Sequence, residues 1–390
     1  MTGWHILRAA VEFVLDPSLL IVVGAAGGLV WANAAPASYA AVSHALHFPV
    51  NDVGMVFFFG LAMKEVVEAV LPGGPLESPR RAAMPLLAAM GGMLAPAVIH
   101  VGLSLWLSQR ELAHGWAIPC ATDIAFSYLV SRLIFGAQHP AIPFLLLLAI
   151  ADDALGLVIL AVFYPAGETR LGECVAILAG AILVSWLLRR RSVANFWAYI
   201  LLAGTVSWTA LFRGGLHPAL ALVPVIPFIP HEERDRGILC PQERGATDPL
   251  NRFAQWWHVP VQVILFFFAL VNAGVPVSSV GAGTWVVLAG LIIGKPVGIL
   301  LVTAAGVLGG LRRPSGVTWA DMSIVGLAAG IGFTVSLFFA TAAFPGEIRL
   351  LSETKMGALL SFGSGGIAVA LAVVLKVGRF GRERYLSMPG

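Results

Sequence analysis

Charge is scarce in this sequence. Only 12% of its 390 residues are Asp, Glu, Lys or Arg and 58% are hydrophobic, whereas an average soluble chain carries about 25% charge. So little charge cannot clothe a soluble domain of this length, and it excludes a disordered chain, a coiled coil and a nucleic-acid-binding domain. Cysteine is almost missing. Cys120, Cys174 and Cys240 are odd in number and far apart, so they build neither a disulfide framework nor a metal site. Short alternating segments are also lacking. A transmembrane β-barrel needs strands of roughly 10 residues, and the apolar runs here are about twice as long. What remains is an all-α polytopic membrane protein.

Twelve runs approach the ~20 residues that cross a bilayer. They lie at about 11–32, 52–71, 82–107, 117–136, 141–164, 171–188, 194–212, 216–230, 255–275, 284–309, 319–344 and 355–377. The Ala32-Asn33-Ala34 triplet resembles a signal-peptide cleavage site, but Glu12 and Asp16 stand where such a peptide is positive, so a retained first helix is expected. The longest polar loop, 231–252, has no room for a soluble domain, and the chain reads as one transmembrane domain over 1–390. With the N-terminus in the cytoplasm, the inner loops collect Arg8, Lys64, Arg80, Arg81, Arg132, Arg189 to Arg191, Arg312, Arg313 and the basic residues of the 231–252 loop and the C-terminus. The outer loops keep only Arg110, Arg170, Arg213, Arg349 and Lys355. This bias sets both termini inside.

Two spans are interrupted by their own residues. The fourth contains Ile118-Pro-Cys-Ala-Thr-Asp123, and the eleventh contains Gly326 and Gly330-Ile-Gly-Phe-Thr334. Irregular backbone at membrane depth is tolerated where it lines a cavity. The two interruptions occupy comparable places in two three-span blocks, about 82–164 and 284–377. An odd number of spans per block makes the repeat inverted, and paired broken helices point to a transporter's binding site.

Four ionisable residues remain inside the apolar runs: Asp123, Asp152, Asp153 and Lys295. Each costs about 2.5–3.5 kcal/mol near the bilayer centre on insertion scales, so each demands a reason. Asp152 and Asp153 follow Leu145-Leu-Leu-Leu-Ala-Ile-Ala151. Adjacent helical residues point about 100° apart, so one carboxylate can face an ion pathway while the other meets a counter-ion. Two carboxylates in a low dielectric do not both ionise cheaply, which suits a site held by protons or by a hard cation. A helix cap at a span boundary is the plainer alternative. Lys295, in Ile293-Gly-Lys-Pro-Val-Gly298, pairs with one of these aspartates unless it snorkels to a helix end. Asp123 can neutralise helix N-termini at the break, Lys295 helix C-termini, and Thr122 and Thr334 can offer oxygen to a cation. Simple N-capping competes for Thr122 and Asp123.

Weaker candidates lie elsewhere. Asp52 and Glu65 bound the second span and, with Lys64 and Glu68, read as a solvated helix end, a charge cluster being the alternative. His258, in Trp256-Trp-His258, could respond to pH, beside tryptophans that suggest an interfacial belt. The Phe57-Phe-Phe59 and Phe266-Phe-Phe268 runs read as lipid-facing or packing residues. A sodium-coupled organic-anion symporter would need a second intramembrane polar patch. An intramembrane aspartyl protease using Asp123 and Asp153 would need a Gly-x-Gly-Asp motif. The sequence contains neither.

The motifs carry a resemblance. Gly115-Trp-Ala-Ile-Pro-Cys-Ala-Thr-Asp-Ile-Ala-Phe126, Ala149-Ile-Ala-Asp-Asp-Ala-Leu-Gly156, Ile293-Gly-Lys-Pro-Val-Gly298 and Gly330-Ile-Gly-Phe-Thr-Val-Ser336, with Asn272-Ala-Gly-Val275, resemble in order and spacing the NhaA-type sodium/proton antiporters over nearly the whole chain. The resemblance implies twelve spans with helices four and eleven crossed, and export of Na⁺ or Li⁺ against protons without a cofactor. It implies a homodimer in the lipid bilayer of a bacterial inner membrane, and no nucleic acid. It assigns cation and proton binding to Asp153, with Asp152, Thr122 and Asp123 at the site and Asp152 paired to Lys295 when no cation is bound. Glu65 matches a family glutamate tied to pH response. The chain departs from the family at Val66, Val67 and Ala69, and in Phe253-Ala-Gln-Trp-Trp-His258, so its pH switch is expected to be shifted or absent.

Overall fold

In hydrocarbon a single segment can satisfy its backbone only as a helix, and every regular element among the described residues is helical. The computed structural model describes residues 17–72, 74, 76–77, 79–231 and 248–381. Arg8, Glu12, Asp16, Cys240, the loop residues Arg234, Arg236 and Arg244, and Arg382 and Arg384 lie outside the described residues.

In chain order the helices are α1 (Pro17–Ala34), α2 (Pro36–His47), α3 (Met55–Val70), α4 (Pro79–Trp106), α5 (Ile124–Phe135), α6 (Ala141–Phe163), α7 (Leu171–Arg190), α8 (Thr205–Arg213), α9 (Pro249–Asn272), α10 (Ala282–Ala289), α11 (Lys295–Leu308), α12 (Trp319–Ala329), α13 (Phe333–Ala343), α14 (Ile348–Leu360) and α15 (Gly363–Val374). Among the described residues six helices have the length and apolarity to cross a membrane, and the total reaches eight if each of two bent helix pairs is one span.

Prolines account for the main departures from the predicted spans. The segment 216–230 is not an α-helix. It forms two 3₁₀ turns, Pro218–Leu220 and Ile226–Phe228, because Pro218, Pro224 and Pro227 each remove a helix donor. A wide π turn, Phe48–Gly54, joins α2 to α3, where Pro49 cannot bond back to the preceding turn. Two more are Tyr199–Gly204, which leads into α8, and Gly290–Gly294, which joins α10 to α11, where Pro296 leaves the Ile292 carbonyl without its usual partner. The last span starts earlier than predicted, at Ile348.

The chain divides into two compact units, Met1–Gly74 with Leu157–Pro276 and Pro75–Gly156 with Val277–Gly390. In the first, α1 packs along α9, and α3 packs on α9 and on the 3₁₀ turns. Tyr39 is the buried residue of α2, and its hydroxyl bonds the carbonyls of Leu270 and Val271. In the second, α4 runs against α11, α12 against α11 and α15, and α10 against α14. Its core includes Ile142, Leu145, Leu148, Ile299, Met322, Ile324 and Val325.

The α4–α11 crossing depends on two glycines, as close helix packing in membranes commonly does. A Cβ on Gly298 would strike the Gly91 carbonyl and lie 2.6 Å from the Ala95 Cβ, and a Cβ on Gly91 would strike the Gly298 carbonyl. Gly298→Leu is therefore expected to separate the helices and to lower the melting temperature and folded yield of the purified protein, with overpacking costing about 1–3 kcal/mol. Gly306→Ala, whose new methyl would make ordinary contacts at 3.4 Å or more, should leave both unchanged. Thermal melts of the two variants check this.

Candidate cation site at two broken helices

The fourth predicted span is a bent pair, Arg110–Cys120 with Ile124–Phe135 at 55°, and the eleventh is Trp319–Ala329 with Phe333–Ala343 at 49°. At the first break Ala121 turns to extended backbone after Pro119-Cys120, and Asp123 caps α5, accepting from the Phe126 N–H at 3.4 Å. At the second, the chain passes through Gly330-Ile331-Gly332 before α13. Each break orphans carbonyls on one side and N–H groups on the other, in a place where an unpaired backbone group is costly.

The breaks satisfy one another. Asp123 donates its N–H to the Ile331 carbonyl at 2.7 Å. Its carboxylate accepts from the Thr334 N–H at 3.2 Å and from the Thr334 hydroxyl. One carboxylate thus serves the positive N-terminal ends of both α5 and α13. On the carbonyl side, the Lys295 ammonium donates to Cys120 O, the last residue before the first break. Asp123 neutralises N-termini and Lys295 a C-terminus.

Asp152 stands at the centre of a buried charge pair. Its Oδ2 lies 2.9 Å from Lys295 Nζ, both side chains being 0% exposed, and the same oxygen accepts the Thr122 hydroxyl at 2.7 Å. Its Oδ1 is buried with no hydrogen-bond partner among the described residues. A buried ion pair recovers its desolvation cost only with good geometry and further hydrogen bonds; here Thr122 and Cys120 provide them. Asp153 follows on α6 about 100° around the helix and is half-buried.

The structure thus brings Thr122, Asp123, Asp152, Lys295 and Thr334 together within the second unit. Glu65 and His258 belong to the first. His258 is exposed, and its Nδ1 accepts from the Gln262 amide at 3.1 Å. The C-terminal half of α3 corrects the sequence expectation of a solvated terminus. Lys64 and Glu68 form a buried i,i+4 ion pair on a helix that packs on α9 and on the 3₁₀ turns. Only Glu65, with its side chain 38% exposed and 3.4 Å from Lys64, fits the solvated description. The tryptophan pair also divides. Trp257 is buried and stacked on Phe57 at 3.4 Å between ring centroids, while Trp256 is exposed.

Four serines escaped the sequence reading. Ser127 donates to Ala328 O at 2.8 Å, Ser336 to Ile118 O at 2.6 Å and Ser364 to Leu327 O at 2.6 Å, and Ser361 Oγ accepts from the Gly332 N–H at 3.2 Å. A signal existed for two of them: Ser127 stands one helical turn past Asp123, and Ser336 one turn past Gly332.

Apolar spans, helix ends meeting at two breaks, and a fully buried carboxylate–ammonium pair with one carboxylate oxygen unbonded among the described residues define a multi-pass secondary transporter of small cations. The family described as Na⁺/H⁺ antiporter 1 matches residues 17–375. Among similar proteins are the Na⁺/H⁺ antiporter NhaA of Geobacter metallireducens, 44% identical over 382 residues covering 96% of this chain and 100% of that protein, and that of Geobacter sulfurreducens, 43% identical over 381 residues with the same coverage. The NhaA of a Jannaschia species is 45% identical over 415 residues, covering 94% of this chain and 98% of its own length. The chain belongs to the Na⁺/H⁺ antiporter 1 family, whose members are secondary transporters that need no cofactor.

Proposed function

We propose that this protein exports cytoplasmic Na⁺ or Li⁺ in exchange for external protons, with cation and proton competing at Asp153 and Asp152. The observation that carries the proposal is the Asp152 carboxylate, held on one oxygen by Lys295 and Thr122 and free on the other, beside Asp153 at the meeting of two helix breaks. Protonation of Asp153 expels the cation, and the cation expels the proton. Either occupant neutralises the site, which lets it reorient without carrying an unpaired charge through the membrane. With the cation absent, Asp152 turns to Lys295. If two groups titrate per cation, exchange moves net charge, and the membrane potential contributes about 2.3 kcal/mol per charge per 100 mV. Exchange without charge movement in reconstituted vesicles would count against that stoichiometry.

The proposal includes twelve spans with helices four and eleven crossed, inverted repeats at about 82–164 and 284–377, both termini in the cytoplasm and a single transmembrane domain in a bacterial inner membrane. Support for the repeat comes from a constant offset. Ser127 and Ser336 are 209 residues apart, as are Asp123 and Gly332 at the two caps, and as are Asp152 and Ser361. The homodimer rests on the family resemblance. The aspartyl-protease reading is not favoured, since the Asp123 carboxylate is taken up by two helix N-termini.

The test is a proton-flux assay in everted vesicles given Na⁺, Li⁺ or K⁺ from mildly acidic to alkaline pH. Na⁺ and Li⁺ are expected to trigger proton movement, and silence at every pH would overturn the proposal. Competition fixes the sign of the pH dependence. As pH falls, protons displace Na⁺, so the apparent KM for Na⁺ rises, approaching about tenfold per pH unit for one proton against one cation. The rate at saturating Na⁺ should change far less.

A further inference from the structure

We propose that Ser127 and Ser336 are positioning residues for cation binding, forming a reciprocal clasp that fastens the two broken helices in register. This rests on the exchange activity proposed above and adds two residues to its machinery. Both serines are fully buried. Each sits in the first turn beyond its own break and reaches across to a carbonyl at the end of the other broken helix: Ser127 to Ala328 at 2.8 Å, Ser336 to Ile118 at 2.6 Å. A serine within a membrane helix ordinarily bonds to its own helix four residues back, as Ser104 and Ser185 do here. These two depart from that habit, and they do so as a matched pair.

The clasp closes two rings that share Asp123. One runs along the chain from Ile118 to Asp123, across to Thr334, on to Ser336 and back to Ile118. The other runs from Asp123 through its N–H to Ile331, back along the chain to Ala328, across to Ser127 and back to Asp123. Thr122, whose hydroxyl meets Asp152, and Cys120, whose carbonyl meets Lys295, lie on the first ring. The position of the break's oxygens relative to the paired aspartates is therefore set by hydroxyls that never touch the cation.

A consequence separates positioning from bulk stability. A hard cation needs several oxygens at fixed distances, whereas a proton needs one carboxylate oxygen. Loosening the clasp should weaken cation binding selectively. Ser336→Ala is expected to raise the apparent KM for Na⁺ about fivefold, the equivalent of one net buried hydrogen bond, with the rate at saturating Na⁺ per folded molecule within about twofold of wild type. Ser127→Ala should have a smaller effect in the same direction, since Ala328 O also receives the Ile331 N–H at 3.2 Å. The double variant should fall short of the product of the two, because both bonds hold one assembly. Ser336→Thr, which keeps the hydroxyl, should restore the KM.

The measurement is Na⁺-driven proton flux in vesicles of purified protein, normalised to folded protein and run beside wild type. A KM unmoved in both alanine variants, or a fall in maximal rate at constant KM, would overturn the clasp. Silence of wild type itself would instead overturn the exchange reading. If the alanine variants fail to fold, Ser336→Cys keeps a side-chain donor there, slightly larger and weaker than the hydroxyl. It should show a smaller KM rise, and a wild-type KM there would overturn the clasp too.

Discussion

Asp153→Asn is expected to reduce cation-triggered proton movement to background while the protein still folds. Asparagine keeps the shape of the side chain but removes the charge and the titratable proton, so neither competitor retains its site. Asp153 is half-buried on α6, next along the chain to Asp152, whose carboxylate Lys295 and Thr122 hold. The substitution keeps every group of the Lys295–Asp152 pair and of the Asp123 caps, so the loss of exchange should far exceed any change in melting temperature. Fluorescence-monitored flux in everted vesicles, paired with a thermal melt, separates the two. Retained exchange would remove Asp153 from the site while leaving the fold untouched.

Lys295→Met should cost the most stability. It leaves Asp152 as a buried carboxylate with only the Thr122 hydroxyl on it, and it strips Cys120 O of its donor. Breaking a buried ion pair from one side typically costs about 3–5 kcal/mol, because the surviving charge stays desolvated. A clear drop in melting temperature is expected. The double variant Asp152→Asn with Lys295→Met removes both charges and should recover most of that loss, since replacing a whole buried pair is often neutral. A single variant as stable as wild type would show that the pair is not what neutralises this part of the membrane interior. A double variant no better than the single would assign the loss to the Cys120 carbonyl and to packing.

Much of the site can be read from residue types alone, because the background is so apolar. With 12% charge overall, an aspartate or lysine inside a long apolar run has few explanations. The interruption of a run by Pro119 or by Gly330 and Gly332 follows from the backbone chemistry of those residues. The same reasoning applies to 216–230, where Pro218, Pro224, Pro227 and Pro230 replace a helix by 3₁₀ turns. Hydropathy by itself hides that outcome, since proline there interrupts donors and not apolarity.

Other features depend on partners far away in the chain. Lys64 and Glu68 look like a solvated helix end, yet the fold buries them as an ion pair on a helix packed against α9 and the 3₁₀ turns. Ser127 and Ser336 look like Thr209 or Ser185, which bond within their own helices. A serine has the same local options in each case, and only the neighbour 201 or 218 residues away decides which it takes.

The sequence by itself determined that this is a helical membrane protein, that the chain breaks between Cys120 and Asp123 and between Gly330 and Gly332, and that few ionisable residues lie within its apolar runs. These are local consequences of hydropathy, proline, glycine and the cost of burying charge. The tertiary structure decided which atoms meet: Lys295 with Oδ2 of Asp152, one Asp123 carboxylate with the N-terminal ends of α5 and α13, and two serines that fasten the breaks to each other. Side-chain partners follow from the rotation of neighbouring residues about a helix and from contacts across hundreds of residues, and neither is encoded in any local window of the chain.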